Sequence, residues 1–195
     1  MRAALISRSL PAPRLGIAAR CALALALAGV LLGIGMLGAG CAVQNIQHGP
    51  KLDGSARWTQ LPIINHTEVP HAGERVEAVL GTLLRVRGVR ELAAYTLPSD
   101  DASLPDLDDR RRLEVALSRA RQAGFLYGVT GSVEEWRYRS GIDGEPAVGL
   151  TVQVLDVATG KVLWSGSGSR SGWGREVLTG TAQKLMASML DEMDL

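Results

Sequence analysis

The chain has 195 residues, 21 of them basic and 20 acidic, with one Phe, three Tyr and four Trp. Arg2, Arg8, Arg14 and Arg20 precede the first acid, Asp53, so a chain shortened by its first forty residues turns mildly acidic, which excludes the concentrated basic face that nucleic acid requires. The only thiols are Cys21 and Cys41, so the shortened chain holds one cysteine and no intrachain disulfide.

The four arginines form a basic n-region, and Cys21 to Ala39 runs almost wholly apolar, as the h-region of an export signal does. Gly38-Ala39-Gly40-Cys41 follows, small residues ending in a thiol. Small side chains suit a peptidase that reads an extended backbone, and the thiol can carry a diacylglyceryl group. Ala39, Gly40 and Cys41 fit a bacterial lipobox; Gly38 stands where leucine is usual, with Leu37 one place early. The competing reading is an uncleaved anchor, since roughly 18 apolar residues just cross a bilayer, but the many Gly and Ala and the stop at a cysteine favour cleavage before Cys41 and lipidation there. Ala42 follows, where an aspartate would hold a Gram-negative lipoprotein in the inner membrane; alanine indicates the outer membrane and its periplasmic face. A triacylated N-terminus is a stable anchor where a single chain is not.

About 155 residues remain, enough for one compact domain. Residues 42–56 lack periodicity and contain Gln44, Asn45, Gln47, Gly49, Pro50 and Gly54, so residues 41–56 are expected to be a flexible lipid-anchored tether, with the domain at 57–195. Trp58, Leu61, Ile63 and Ile64 predict a buried strand, with Pro62 marking an edge or a bulge. Val76, Val79, Leu80, Leu83 and Leu84 fall at helical spacing over 74–87, and Gly88 suits the C-terminal cap. Val89 to Leu97 reads as a second short strand, followed by a polar loop with Asp100, Asp101, Asp106, Asp108 and Asp109, whose end can cap a helix carrying Leu113, Ala116, Leu117 and Ala120. Gly124 ends that helix.

The period then changes from helical to alternating. Phe125 to Arg139 predicts one long strand, Asp143-Gly144 a turn, and Val148, Leu150, Val152 and Val154 the next strand; Thr159-Gly160 turns the chain again into Val162, Leu163 and Trp164. Ser165 to Gly174 reads as a serine- and glycine-rich connection, and Leu178, Ala182, Leu185, Met186, Met189 and Met193 as the buried side of a last helix. The order βαβαβββα predicts a single α+β domain, a mixed sheet with helices segregated onto one face.

Little in the sequence points to catalysis. His48, His66 and His71 lack metal-ligand spacing, no nucleophile elbow or phosphate loop is present, and Glu134 and Glu135, adjacent on a strand, are expected to point to opposite faces. A noncatalytic protein without metal or cofactor is the reading these residues give. Two features are not explained as core. Trp173 sits between Gly172 and Gly174, where an indole suits a membrane or subunit contact, and the five aspartates, repeated around a ring of copies, would steer a cationic polymer.

WTQLPIIN at 58–65 with PHAGER at 70–75, GVTG at 128–131, DVATG at 156–160 with Trp164, and SGWG at 171–174 together resemble the PelC family, outer-membrane lipoproteins of the Pel exopolysaccharide export system. The likeness spans residues 41–195 and is narrowest in the PHAGER and SGWG stretches; the DVATG hairpin also occurs in the more distant LpoB and CsgG families, which share the fold. The resemblance implies a lipid-anchored ring at the periplasmic face of the outer membrane, an electronegative funnel passing a partly cationic polysaccharide to the system's porin, and a membrane-facing role for Trp173. The alternative is an LpoB-like activator of a peptidoglycan synthase, which needs a long spacer; residues 42–56 would reach only about 50 Å fully extended. A CsgG-like channel would need membrane hairpins for which no strands remain.

Overall fold

The computed structural model describes residues 42–95, 109–140, 144–173 and 175–195. Its strands are β1 (Ala42–Gln47), β2 (Arg57–Asn65), β3 (Glu91–Ala94), β4 (Tyr127–Tyr138), β5 (Pro146–Asp156) and β6 (Val162–Ser171); its helices are α1 (Ala72–Val86), α2 (Asp109–Gln122) and α3 (Leu178–Leu190). They form one mixed six-stranded sheet in the order β1-β6-β5-β4-β2-β3, with β2 parallel to both β3 and β4 and the other pairs antiparallel. The α+β fold and the expected order βαβαβββα are present, preceded by the additional strand β1.

Alternation along β5 builds the main core. Val148, Leu150, Val152 and Val154 face α1 and α3, where Val76, Leu80, Leu84, Leu185, Met186 and Met189 meet them; all ten are nearly solvent-free. Complete burial of a Leu or Val side chain contributes roughly 1.5–3 kcal/mol. The methionines pack as core. Arg87 ties the two helix ends together, donating to the Ala187 carbonyl at 2.7 Å and pairing with Asp191. Trp58 is fully buried beside Tyr127, ring centroids 4.8 Å apart, and its indole N–H donates to the Asp53 carbonyl at 3.0 Å.

Not all helices share one face. Leu61, Leu155 and Val157 form a second, smaller core with Ala116 and Ala120 of α2, on the side of the sheet opposite Val154. Helix α2 buries only two alanines fully, so a stripe that reads like the others is too thin to join the main core.

Residues 42–56 are not free chain. β1 pairs with β6 from Ala42↔Arg170 to Gln47↔Ser165. Leu52 is buried and its N–H donates to the Asp194 carbonyl at 2.9 Å, while the Gly54 carbonyl accepts from Arg90 at 3.0 Å. The expected tether is therefore folded onto the domain, held by backbone bonds that a hydropathy pattern does not register.

The Ser-Gly run is also strand. β6 continues to Ser171 between β1 and β5, with Gly166 and Gly168 facing the main core. A Cβ at Gly166 would stand 2.8 Å from the Trp164 ring, and one at Gly168 only 2.7 Å from the Val43 carbonyl. The core on this side is filled by the neighbours' bulk, and the strand supplies room.

Pro62 marks a bulge, as its residue type predicts: the β2–β4 register shifts between Gln60 and Ile63. β3 ends at Ala94, opposite Gln60, so Ile63 lies beyond its reach. The Ile63 N–H is satisfied instead by the Glu77 carboxylate of α1 at 2.8 Å, and Thr130 donates to the Pro62 carbonyl at 2.7 Å. Burial pushes the Glu77 carboxyl above its ordinary range.

Candidate functional site

One end of the sheet gathers the termini of several elements. Tyr138 of β4 is opposite Pro146 of β5, Ala147 opposite Ser171, and Arg170 opposite Ala42, so the chain enters the domain at this end. Gly172 donates to the Pro146 carbonyl at 2.8 Å. A Cβ on Gly172 would meet Thr181 Oγ1 at 2.7 Å and both Glu176 Oε2 and Pro146 Cγ at 2.8 Å, which only glycine avoids. Trp173, the next residue, is 56% exposed, with Tyr138 and Val177 exposed at the same end. The Trp173 carbonyl accepts from Glu176 N–H at 2.7 Å, and the Glu176 carboxylate is held by Lys184 at 2.6 Å, whose ammonium keeps it below the usual range. Cys41 itself lies outside the described residues, one position before β1.

Of the five aspartates, Asp100, Asp101, Asp106 and Asp108 also lie outside the described residues. Asp109 begins α2, where a carboxylate suits the positive helix end. Its two oxygens accept from Asn65 N–H at 3.0 Å and Arg112 at 3.1 Å, so it fastens α2 to the end of β2.

Glu134 and Glu135 depart from expectation. The β4–β5 register shifts between Val133 and Glu135, and this bulge turns both side chains to one face: a Cβ at Gly149 would lie 3.3 Å from Glu135 Cβ and 3.5 Å from Glu134 Cβ. Two open cavities meet at this pair. One, of about 330 Å³, is lined by Asn45, Thr151, Ser167 and Ser169; the other, of about 580 Å³, by His66, Glu68, Trp136 and Arg137. Glu134 accepts from Ser132 and Glu135 from Arg137 at 2.8 Å, so the surface combines negative charge with rows of hydroxyls. Such a surface attracts cationic, hydroxylated groups.

His71 occupies a left-handed position before α1 with Nδ1 3.3 Å from Glu74 Oε1. Among the described residues no group of three or more His, Cys, Asp or Glu is arranged to hold a metal, and no helix is long and apolar enough to cross a membrane.

The fold resembles solved structures. A PelC dodecamer from Paraburkholderia phytofirmans in space group P6 is 32% identical with TM-score 0.65, covering 79% of this chain and 99% of that one; a variant of the same protein in space group C2 gives 33% identity over the same shares with the same TM-score. The chain belongs to the PelC family. A lipoprotein from Neisseria meningitidis, 16% identical with TM-score 0.51 over 70% of this chain and 96% of its own, shares the fold. No protein-family model and no curated protein sequence matches the chain.

Within this PelC-family fold, Trp173 lies at an exposed turn, as its glycine neighbours predict, whereas Glu134 and Glu135 share a face although strand alternation predicts opposite ones. The pair depends on a one-residue register shift, and its only trace in the sequence is Gly149, the partner that leaves room for both side chains.

Proposed function

We propose that the chain is a noncatalytic outer-membrane lipoprotein, cut before Cys41 and acylated there, that assembles into a periplasmic ring and guides the cationic Pel exopolysaccharide to the outer-membrane porin of its system. The observation that carries this reading is the pairing of Ala42 with Arg170, which puts the residue after Cys41 at the same end of the sheet as exposed Trp173, Tyr138 and Val177. With no slack between lipid and domain, that end must face the bilayer. An indole that is half apolar and half wet suits the headgroup region, and Trp173 acts there as a membrane contact.

Membership of a family whose solved relative is a dodecamer supports a ring. In it Asp100, Asp101, Asp106 and Asp108, together with Glu68 and Glu134, would supply the negative field for a cationic polymer, Glu135 being paired with Arg137. The LpoB-like reading loses ground, because β1 begins at Ala42 and leaves no spacer to cross the periplasm towards a synthase. In the producing bacterium, Cys41→Ala, which removes the acylated thiol and leaves the apolar signal uncut, takes the protein out of the outer-membrane fraction and abolishes surface polymer; undiminished polymer export with no protein in the outer-membrane fraction would overturn the proposal.

A further inference from the structure

The end at which residue 42 enters the domain also carries three guanidinium groups. Arg139 follows β4, its N–H donating to the Glu145 carbonyl at 2.8 Å; Arg170 lies in β6 opposite Ala42; Arg175 follows the Trp173 turn. Arg139 and Arg175 are exposed, and none of the three forms an ion pair among the described residues. Glu176, close to Arg170, is held by Lys184 at 2.6 Å and Thr181 at 3.2 Å. Arg137, nearby on β4, is taken by Glu135. The remaining acid described at this end is the exposed Glu145; Asp143 lies outside the described residues.

Arg170 is half-buried: its Nε is covered by the protein itself, and an oxyanion from outside would meet the other nitrogens of its guanidinium. Arginines interleaved with Trp and Tyr are the side chains that favour the headgroup layer of a bilayer, the rings at the interfacial depth and the cations on phosphate.

We propose that Arg139, Arg170 and Arg175 form a seat for the phosphate groups of anionic phospholipids, flanked by Tyr138 and Trp173 and adjoining the acylation position. This rests on the membrane orientation proposed above and adds a lipid selectivity to it. The occupant is a lipid surface because the residue following Cys41 is fixed in the sheet beside Arg170, so the acyl chains leave the protein among these arginines.

The test is flotation of the mature chain from residue 41 bearing Cys41→Ser, which carries no acyl group, on vesicles of phosphatidylethanolamine alone or with phosphatidylglycerol. Binding to the anionic vesicles is expected to be stronger by roughly fivefold for each arginine engaged, and to weaken as added salt screens the charges. Arg139→Gln with Arg175→Gln, both at exposed positions, removes most of that preference and leaves binding to the neutral vesicles unchanged; Trp173→Ser lowers binding to both. Inorganic phosphate in solution does not compete. Equal binding of the unaltered arginines' protein to the two vesicle types, or displacement by inorganic phosphate, would overturn the phospholipid seat and leave the acyl anchor standing. Binding to neither vesicle overturns the seat and the Trp173 contact together, while the Cys41→Ala fractionation reports separately on the lipoprotein reading.

Discussion

At the scale of single residues, the fold is organised by side chains that repair irregular backbone. Glu77 is the clearest case: the bulge at Pro62 removes the Ile63 N–H from the ladder, and a carboxylate from α1 takes it at 2.8 Å. Burial raises the Glu77 pKa, so the folded chain holds this proton more tightly than the unfolded one, where glutamate titrates at about pH 4.3. Stability from this group is full below that value and is lost as pH rises through the raised one. Glu77→Gln keeps an oxygen for Ile63 and carries no charge. Its thermal melting should therefore fall less than the unaltered protein's as pH rises from 4 to 7; identical pH dependence of the two would count against the buried-carboxylate account. Gly131 shows the other kind of constraint, since a Cβ there would stand 2.0 Å from the Thr151 carbonyl, and both strands are interior to the sheet. Gly131→Ala should cost about 1–3 kcal/mol or more in chemical denaturation, the range for overpacking a rigid site; an unchanged midpoint would show that β4 and β5 can part there.

At the scale of elements, what was legible in the sequence was whatever buries bulk. The α1 and α3 stripes and the alternation of β5 put Leu, Val and Met where the core lies, and they appear where the spacing places them. β1 and the second half of β6 were hidden for the opposite reason. AVQNIQ has one residue, Ile46, packed against the core, and Ser165–Ser171 uses glycine to admit Trp164 and the β1 backbone, so neither carries a hydrophobic period. The Glu134–Glu135 pair was illegible because a one-residue bulge reverses the face of a side chain without altering composition. Folding of β1 onto the sheet is open to hydrogen exchange. Amides of β1 that bond to β6 should exchange more slowly than those of a free chain by orders of magnitude, as backbone bonds in a folded sheet do. Exchange at the free-chain rate across 42–47 would restore the tether and remove the geometric basis for seating this end on the membrane.

At the scale of the whole molecule, the sheet brings the residue after Cys41, the Trp173 turn and three arginines to one end, and a bulge builds an acidic, hydroxyl-lined surface at Glu134 and Glu135. One subunit offers only a few carboxylates to a cationic chain, a weak field once salt screens it beyond about 8 Å. Many copies in a closed ring would add their fields over one opening, which is why the proposed guidance of a polymer depends on assembly. The most direct test is native mass measurement of the protein extracted in mild detergent from the membranes of the producing bacterium, with the acyl group proposed at Cys41 retained. A single high-mass closed species of many copies, comparable to the dodecamer of the Paraburkholderia relative, is the predicted result; a monomer at high concentration with its acyl chains intact would contradict the account.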